Sequence, residues 1–109
     1  MPAEYEVRYG QEALTALEET VRFIQEDSGA GRASAWLRAM RSGIEQLEAL
    51  PRAFAIVGWS RGQTVYSKIV LTHRVFYYVE ESTKTVFIID IVHTARESKL
   101  AEYRDLPKE

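Results

Sequence analysis

No cysteine occurs among the 109 residues, which excludes a disulfide framework and any thiolate metal site. Histidine is nearly as scarce. His73 and His93 stand twenty residues apart with no acidic pattern beside them, so no metal site and no cofactor are expected. Neither GxGxxG nor GxxxxGK[ST] occurs, which removes the glycine loops that cradle phosphates. No serine stands in an elbow motif of the kind a hydrolase nucleophile needs. No apolar run approaches the roughly 20 residues that a membrane span requires. The Met1–Glu6 stretch has neither the basic start nor the apolar run of a signal peptide, so a cytoplasmic protein is expected.

Acidic residues are missing from one place in particular. Asp and Glu make up 16 of the 109 residues, yet none falls between Ala49 and Val79. That stretch keeps Arg52, Arg61, Lys68 and Arg74, and His73 as well. Strands disfavour Asp and Glu, which accounts for the missing acids. It accounts less well for the four retained cations. The pattern predicts a basic sheet surface that grips a macromolecular target. The whole chain is nevertheless slightly acidic, with a net charge of −2 and a pI near 5.7. That balance argues against nonspecific binding to nucleic acid.

What is present suffices for one domain over residues 1–109: 46% hydrophobic residues, with six Tyr, four Phe and two Trp. Tyr5–Tyr9 alternates apolar and charged side chains, as a half-buried strand does. Gln11–Asp27 then repeats Leu14, Leu17, Val21 and Ile24 at helical spacing, with charged residues on the other faces. The Ser28–Gly31 stretch breaks the pattern. A second helix is predicted over Arg32–Leu50 from Trp36, Met40, Ile44, Leu47 and Leu50, and Pro51 stops it. Arg52–Gln63 reads as a connection with turns at Gly58 and Gly62, held to the core by Trp59.

Beyond it the period changes to 2. Strands are predicted over Thr64–Val70, Arg74–Val79 and Thr85–Val92, with turns at Leu71–His73 and Glu80–Lys84. One or two helical turns are expected in Arg96–Tyr103. The predicted fold is therefore α+β, in the order β-α-α-β-β-β. Its helical hairpin packs on one face of a small, mainly antiparallel sheet. The first strand should join at an edge or beside the last strand. The face away from the helices should be partly open.

The residues able to act there are cationic, aromatic or imidazole groups. Arg74, Phe76 and Tyr78 share one strand face, and Val75, Tyr77 and Val79 share the other. Arg74 carries a planar fork suited to a phosphate or carboxylate. Lys68 lies on the neighbouring strand. His93 and Arg96 follow the last strand, where His93 suits either proton transfer or a hydrogen bond to a loop carbonyl.

Three segments resemble the RelE/ParE toxin superfamily. They are the hairpin ending Leu47-Glu48-Ala49-Leu50-Pro51, the strand His73-Arg74-Val75-Phe76-Tyr77-Tyr78-Val79, and the closing Val86–Arg96 run that carries His93 and Arg96. They occur in order within a resemblance spanning roughly Tyr5 to Tyr103. The resemblance implies the toxin of a type II toxin–antitoxin module, of the plasmid-stabilising kind, silenced when an antitoxin lays its C-terminal segment across it. The acid-free stretch predicts that this segment is acidic and amphipathic. A homodimer and a hetero-oligomer with the antitoxin both remain open.

Two branches of the superfamily differ in target. RelE-like members cut mRNA in the ribosomal A site. ParE-like members block replication through DNA gyrase and are not known as nucleases. The pI, the long hairpin and the His93–Arg96 ending resemble the ParE-like branch. A RelE-like reading would make Arg74, His93 and Arg96 catalytic, with Tyr103 matched to a C-terminal tyrosine. On either reading, Arg61, Lys68, Arg74, Tyr78, His93, Arg96 and Tyr103 are the expected contacts to target or antitoxin. A non-toxic binding module of the same fold is the third reading.

Overall fold

The structure, a computed structural model, describes residues 4–95. It runs β1 (Glu6–Tyr9), α1 (Gln11–Ser28), α2 (Ala30–Glu45), a 3-10 turn (Gln46–Glu48), β2 (Ala55–Ser60), β3 (Gln63–Val70), β4 (His73–Glu80) and β5 (Thr85–His93). The five strands form one sheet in the order β1-β5-β4-β3-β2. β1 lies parallel to β5, and the other pairings are antiparallel. The predicted α+β fold stands, and β1 is at once an edge strand and the neighbour of the last strand. The expected turns of helix in Arg96–Tyr103 fall outside the described residues.

One element differs from the sequence expectation. The stretch Arg52–Gln63, read as a connection, contains β2, paired from Ala55↔Ser67 to Ser60↔Gln63. Its alternation is hidden by a bulge between Ile56 and Gly58 that inserts Val57. Arg61 and Gly62 then both take positive φ, 52° and 80°, as a two-residue hairpin turn matched to strand twist requires. The interhelical break is also shorter than expected. Gly29 alone, at φ 98°, turns the chain, and Gly31 already lies within α2.

Ala13 and Leu17 of α1, Met40 and Ile44 of α2, and Leu47 of the 3-10 turn are buried against Tyr66, Val70, Val75, Tyr77, Val79, Val86, Ile88 and Ile91. A bulge in the β4–β5 ladder pairs Phe76 with Asp90 and Tyr77 with Ile88, leaving Ile89 as the extra residue. That insertion is why Ile88 and Ile91, an odd number apart, both face the helices. The opposite face is less open than predicted. Phe76 there is 1% exposed and packs with Val65, Val57, Ile89 and Val92 as a second, smaller core.

Close approach sets two glycines. A Cβ on Gly43 would lie 2.6 Å from Val70 Cγ1, so α2 meets β3 only without a side chain. At Gly10, between β1 and α1, a Cβ would lie 2.9 Å from Phe87 Cε1. No helix among the described residues is long and apolar enough to cross a membrane.

Candidate functional site

The β3–β4 turn and the end of β5 gather the two histidines. His73 opens β4 rather than lying in the turn, and it stands directly across from His93. Their rings meet edge to face with centroids 5.1 Å apart. His73 is buried, its ring also edge-on to Trp36 of α2 at 5.4 Å. Thr72 Oγ1 and His73 Nδ1 are hydrogen-bonded at 3.3 Å. The Thr94 N–H donates to the Thr72 carbonyl oxygen at 2.9 Å, tying the exit of β5 to the turn. His93 is exposed, and its Nδ1 accepts the Ala95 N–H at 3.0 Å.

Arg74 is next to His73 in sequence but on the opposite face of the sheet. Its Nη1 donates to Ser67 Oγ at 3.0 Å, on the side carrying Phe76. Tyr78 shares that face four residues on, about 14 Å along the strand. It stacks on Phe87 with centroids 5.2 Å apart. Arg8, Glu80, Thr83 and Thr85 border a shallow depression around this aromatic pair.

Lys68 points the other way. Its Nζ donates to the Gly43 carbonyl oxygen at 2.7 Å and to Gln46 Oε1 at 2.6 Å, closing the end of α2. It also lies 4.8 Å from the Phe54 ring centroid, and burial lowers its pKa. Arg61 sits exposed in the β2–β3 turn, at the opposite end of the sheet from the histidines. Arg96 and Tyr103 fall outside the described residues.

Thus the acid-free run of sequence is not one surface in space. Arg52 pairs with Glu81 at 2.9 Å, and Gln63 Nε2 donates to Glu80 Oε1 at 3.3 Å. Hydrogen bonds from Lys84, Tyr5 and Arg52 hold the Glu81 carboxyl down to about 2. The cations are distributed over two faces and both ends of the sheet because a strand sends successive residues to opposite sides. Among the described residues, no group of three or more His, Asp or Glu side chains is placed to hold a metal ion.

The sequence did not reveal a groove of about 770 Å³ between α1 and the histidine end of β4 and β5. Ala16, Phe23, Ile24 and Trp36 give it apolar walls. Glu12, Glu19 and Asp90 also line it. The available signal was Phe23, an aromatic off the buried stripe of α1 and 67% exposed.

The helical hairpin against a five-stranded mixed sheet is the architecture of the RelE/ParE superfamily of small toxins. The chain belongs to the ParE toxins of type II toxin–antitoxin systems, matching that family over residues 7–98. It is thus a type II toxin–antitoxin toxin. The chromosomal ParDE system of P. aeruginosa has a similar chain: TM-score 0.69 at 12% identity, covering 83% of this chain and 96% of that one. A doubly substituted E. coli RelE toxin in the free state gives TM-score 0.60 at 16% identity, covering 94% and 95%. The RelBE2 toxin–antitoxin complex of Mycobacterium tuberculosis gives 0.54 at 20% identity, covering 85% and 94%. No curated protein sequence matches significantly.

Proposed function

We propose that this toxin arrests growth by blocking DNA replication through DNA gyrase and that a cognate antitoxin neutralises it. The observation that carries the reading is the match to the ParE family over residues 7–98. Two further observations support it. Arg74 and His93 lie on opposite faces of the sheet, so they do not converge on one phosphodiester as a base and a charge stabiliser must. The pI near 5.7 is ill suited to holding rRNA and mRNA phosphates. His93 then serves as a contact rather than a catalyst.

On this reading the antitoxin lays an acidic amphipathic segment across the face carrying Arg74 and Tyr78 and reaches Arg61. The test is a supercoiling assay with purified gyrase. Inhibition that titrates with the toxin and is relieved by equimolar antitoxin is the expected result. Unimpaired supercoiling at toxin excess would refute it.

The structural likeness to RelE over 94% of the chain favours a second reading, a ribosome-dependent mRNA endonuclease. Arg74, His93 and Arg96 are its catalytic candidates. Cleaved mRNA on programmed ribosomes, with gyrase untouched, would establish that reading instead.

A further inference from the structure

The groove between α1 and the histidine end of the sheet is charged oppositely to the surface that the antitoxin segment was expected to cover. α1 carries five carboxylates, Glu12, Glu18, Glu19, Glu26 and Asp27, against the single Arg22. Glu12 and Glu19 fall on the helix face that lines the groove, together with Ala16, Thr20 and Phe23. These positions recur at steps of three and four, so they form one continuous stripe beside the buried stripe of Ala13 and Leu17. Across the groove stand Asp90, Ile91 and the two histidines, with Trp36 as a further wall. The result is an apolar trough with acidic residues along it.

We infer that this groove receives a basic amphipathic helix presented by a partner protein. Three observations set the chemistry of the occupant. Phe23 exposes two thirds of its surface at the groove, an apolar area that a solvated helix face does not need. Glu12 and Glu19, the α1 carboxylates that line the groove, select cations on the rim of the occupant and disfavour an acidic segment. The lining residues of α1 run from Gln11 to Ile24, about 20 Å at 1.5 Å per residue, which accommodates three to four helical turns. A helix of that length lays its i, i+3, i+4 and i+7 apolar residues along Ala16, Phe23 and Trp36. The inference holds whether the toxin acts on gyrase or on the ribosome, because it rests on the groove alone. It also separates two partner surfaces: an acid-binding one on the sheet face of Arg74, and this base-binding one beside α1.

The experiment uses the full chain and three labelled helical peptides of about 14 residues, sized to that length. They share one leucine and phenylalanine face and differ only in a polar face of lysine, glutamine or glutamate. Binding is read by fluorescence anisotropy at low and physiological salt. The lysine peptide should bind at least about tenfold tighter than the glutamate peptide, with the preference shrinking as salt rises. Glu19→Lys should cut that preference several-fold, and Phe23→Ala should weaken the lysine and glutamine peptides alike. Both positions are exposed, so neither change threatens folding. Equal binding of all three peptides, tighter binding of the glutamate peptide, or no binding would overturn the inference. So would binding that ignores Phe23→Ala. Sedimentation showing a dimer that Phe23→Ala dissolves would assign the groove to a second copy and overturn it too.

Discussion

The Tyr77 hydroxyl, in the middle of β4, donates to the Pro51 carbonyl oxygen at 2.7 Å. The bond is buried and joins the centre of the sheet to the segment that leaves the helical hairpin. The Tyr77 ring also stacks on Tyr66 with centroids 5.4 Å apart, and burial raises its pKa. Tyr77→Phe keeps the stack and leaves the Pro51 carbonyl without its partner. The expected cost is about 1–3 kcal/mol, read from the urea midpoint at unchanged slope. An unchanged midpoint would show that the bond adds nothing.

Gly43 sets the distance between α2 and β3. Gly43→Ala places a methyl 2.6 Å from Val70 Cγ1 and 3.0 Å from Cγ2, so it should destabilise by about 1–3 kcal/mol. Gly31→Ala is the matched control, since nothing lies within 4 Å of its Cβ. It should gain about 0.5–1 kcal/mol from helix propensity alone. Thermal unfolding of the two variants should therefore move in opposite directions.

Glu81 ties Tyr5, Arg52 and Lys84 together across the end of the sheet. Its folded pKa is about 2 against an ordinary 4.5. A depressed carboxyl pKa contributes stability above the unfolded value and loses it as pH falls through the folded one. The unfolding midpoint should fall between those two pH values, and Glu81→Gln should flatten that slope. Because the cluster is exposed, high salt should flatten it as well. A slope unchanged in Glu81→Gln would place the acid sensitivity elsewhere.

Arg74→Ala separates the effector surface from the antitoxin surface. The expected outcome is lost growth inhibition with antitoxin binding retained through its other expected contacts, Arg61 and Tyr78. Loss of antitoxin binding with toxicity retained would instead confine Arg74 to the antitoxin surface and remove it from the effector surface.

Much of the fold was legible in the sequence because burial imposes periodicity. Leu17, Met40, Ile44 and Leu47 repeat at helical steps and are buried as expected. Leu50 continues that spacing but is 55% exposed, because the helix has already ended at Glu45 and passed into a 3-10 turn. β2 was illegible because a single inserted residue, Val57, breaks its alternation. The candidate site was legible only as a set of residue types. Sequence parity correctly put Arg74, Phe76 and Tyr78 on one face. It did not show that Lys68 would close the end of α2 or that His93 would meet His73, since both depend on strand register.

On the gyrase reading this toxin stops DNA replication, and inducible expression in bacteria with labelled precursors is the first test of that reading. Thymidine incorporation should fall first, with cells filamenting while amino-acid incorporation continues, and co-expressed antitoxin should restore growth. Amino-acid incorporation falling first, with cleaved mRNA, would contradict the claim and turn attention to Arg74, His93 and Arg96. Undisturbed growth at full expression would contradict it as well and leave a binding domain with the toxin fold.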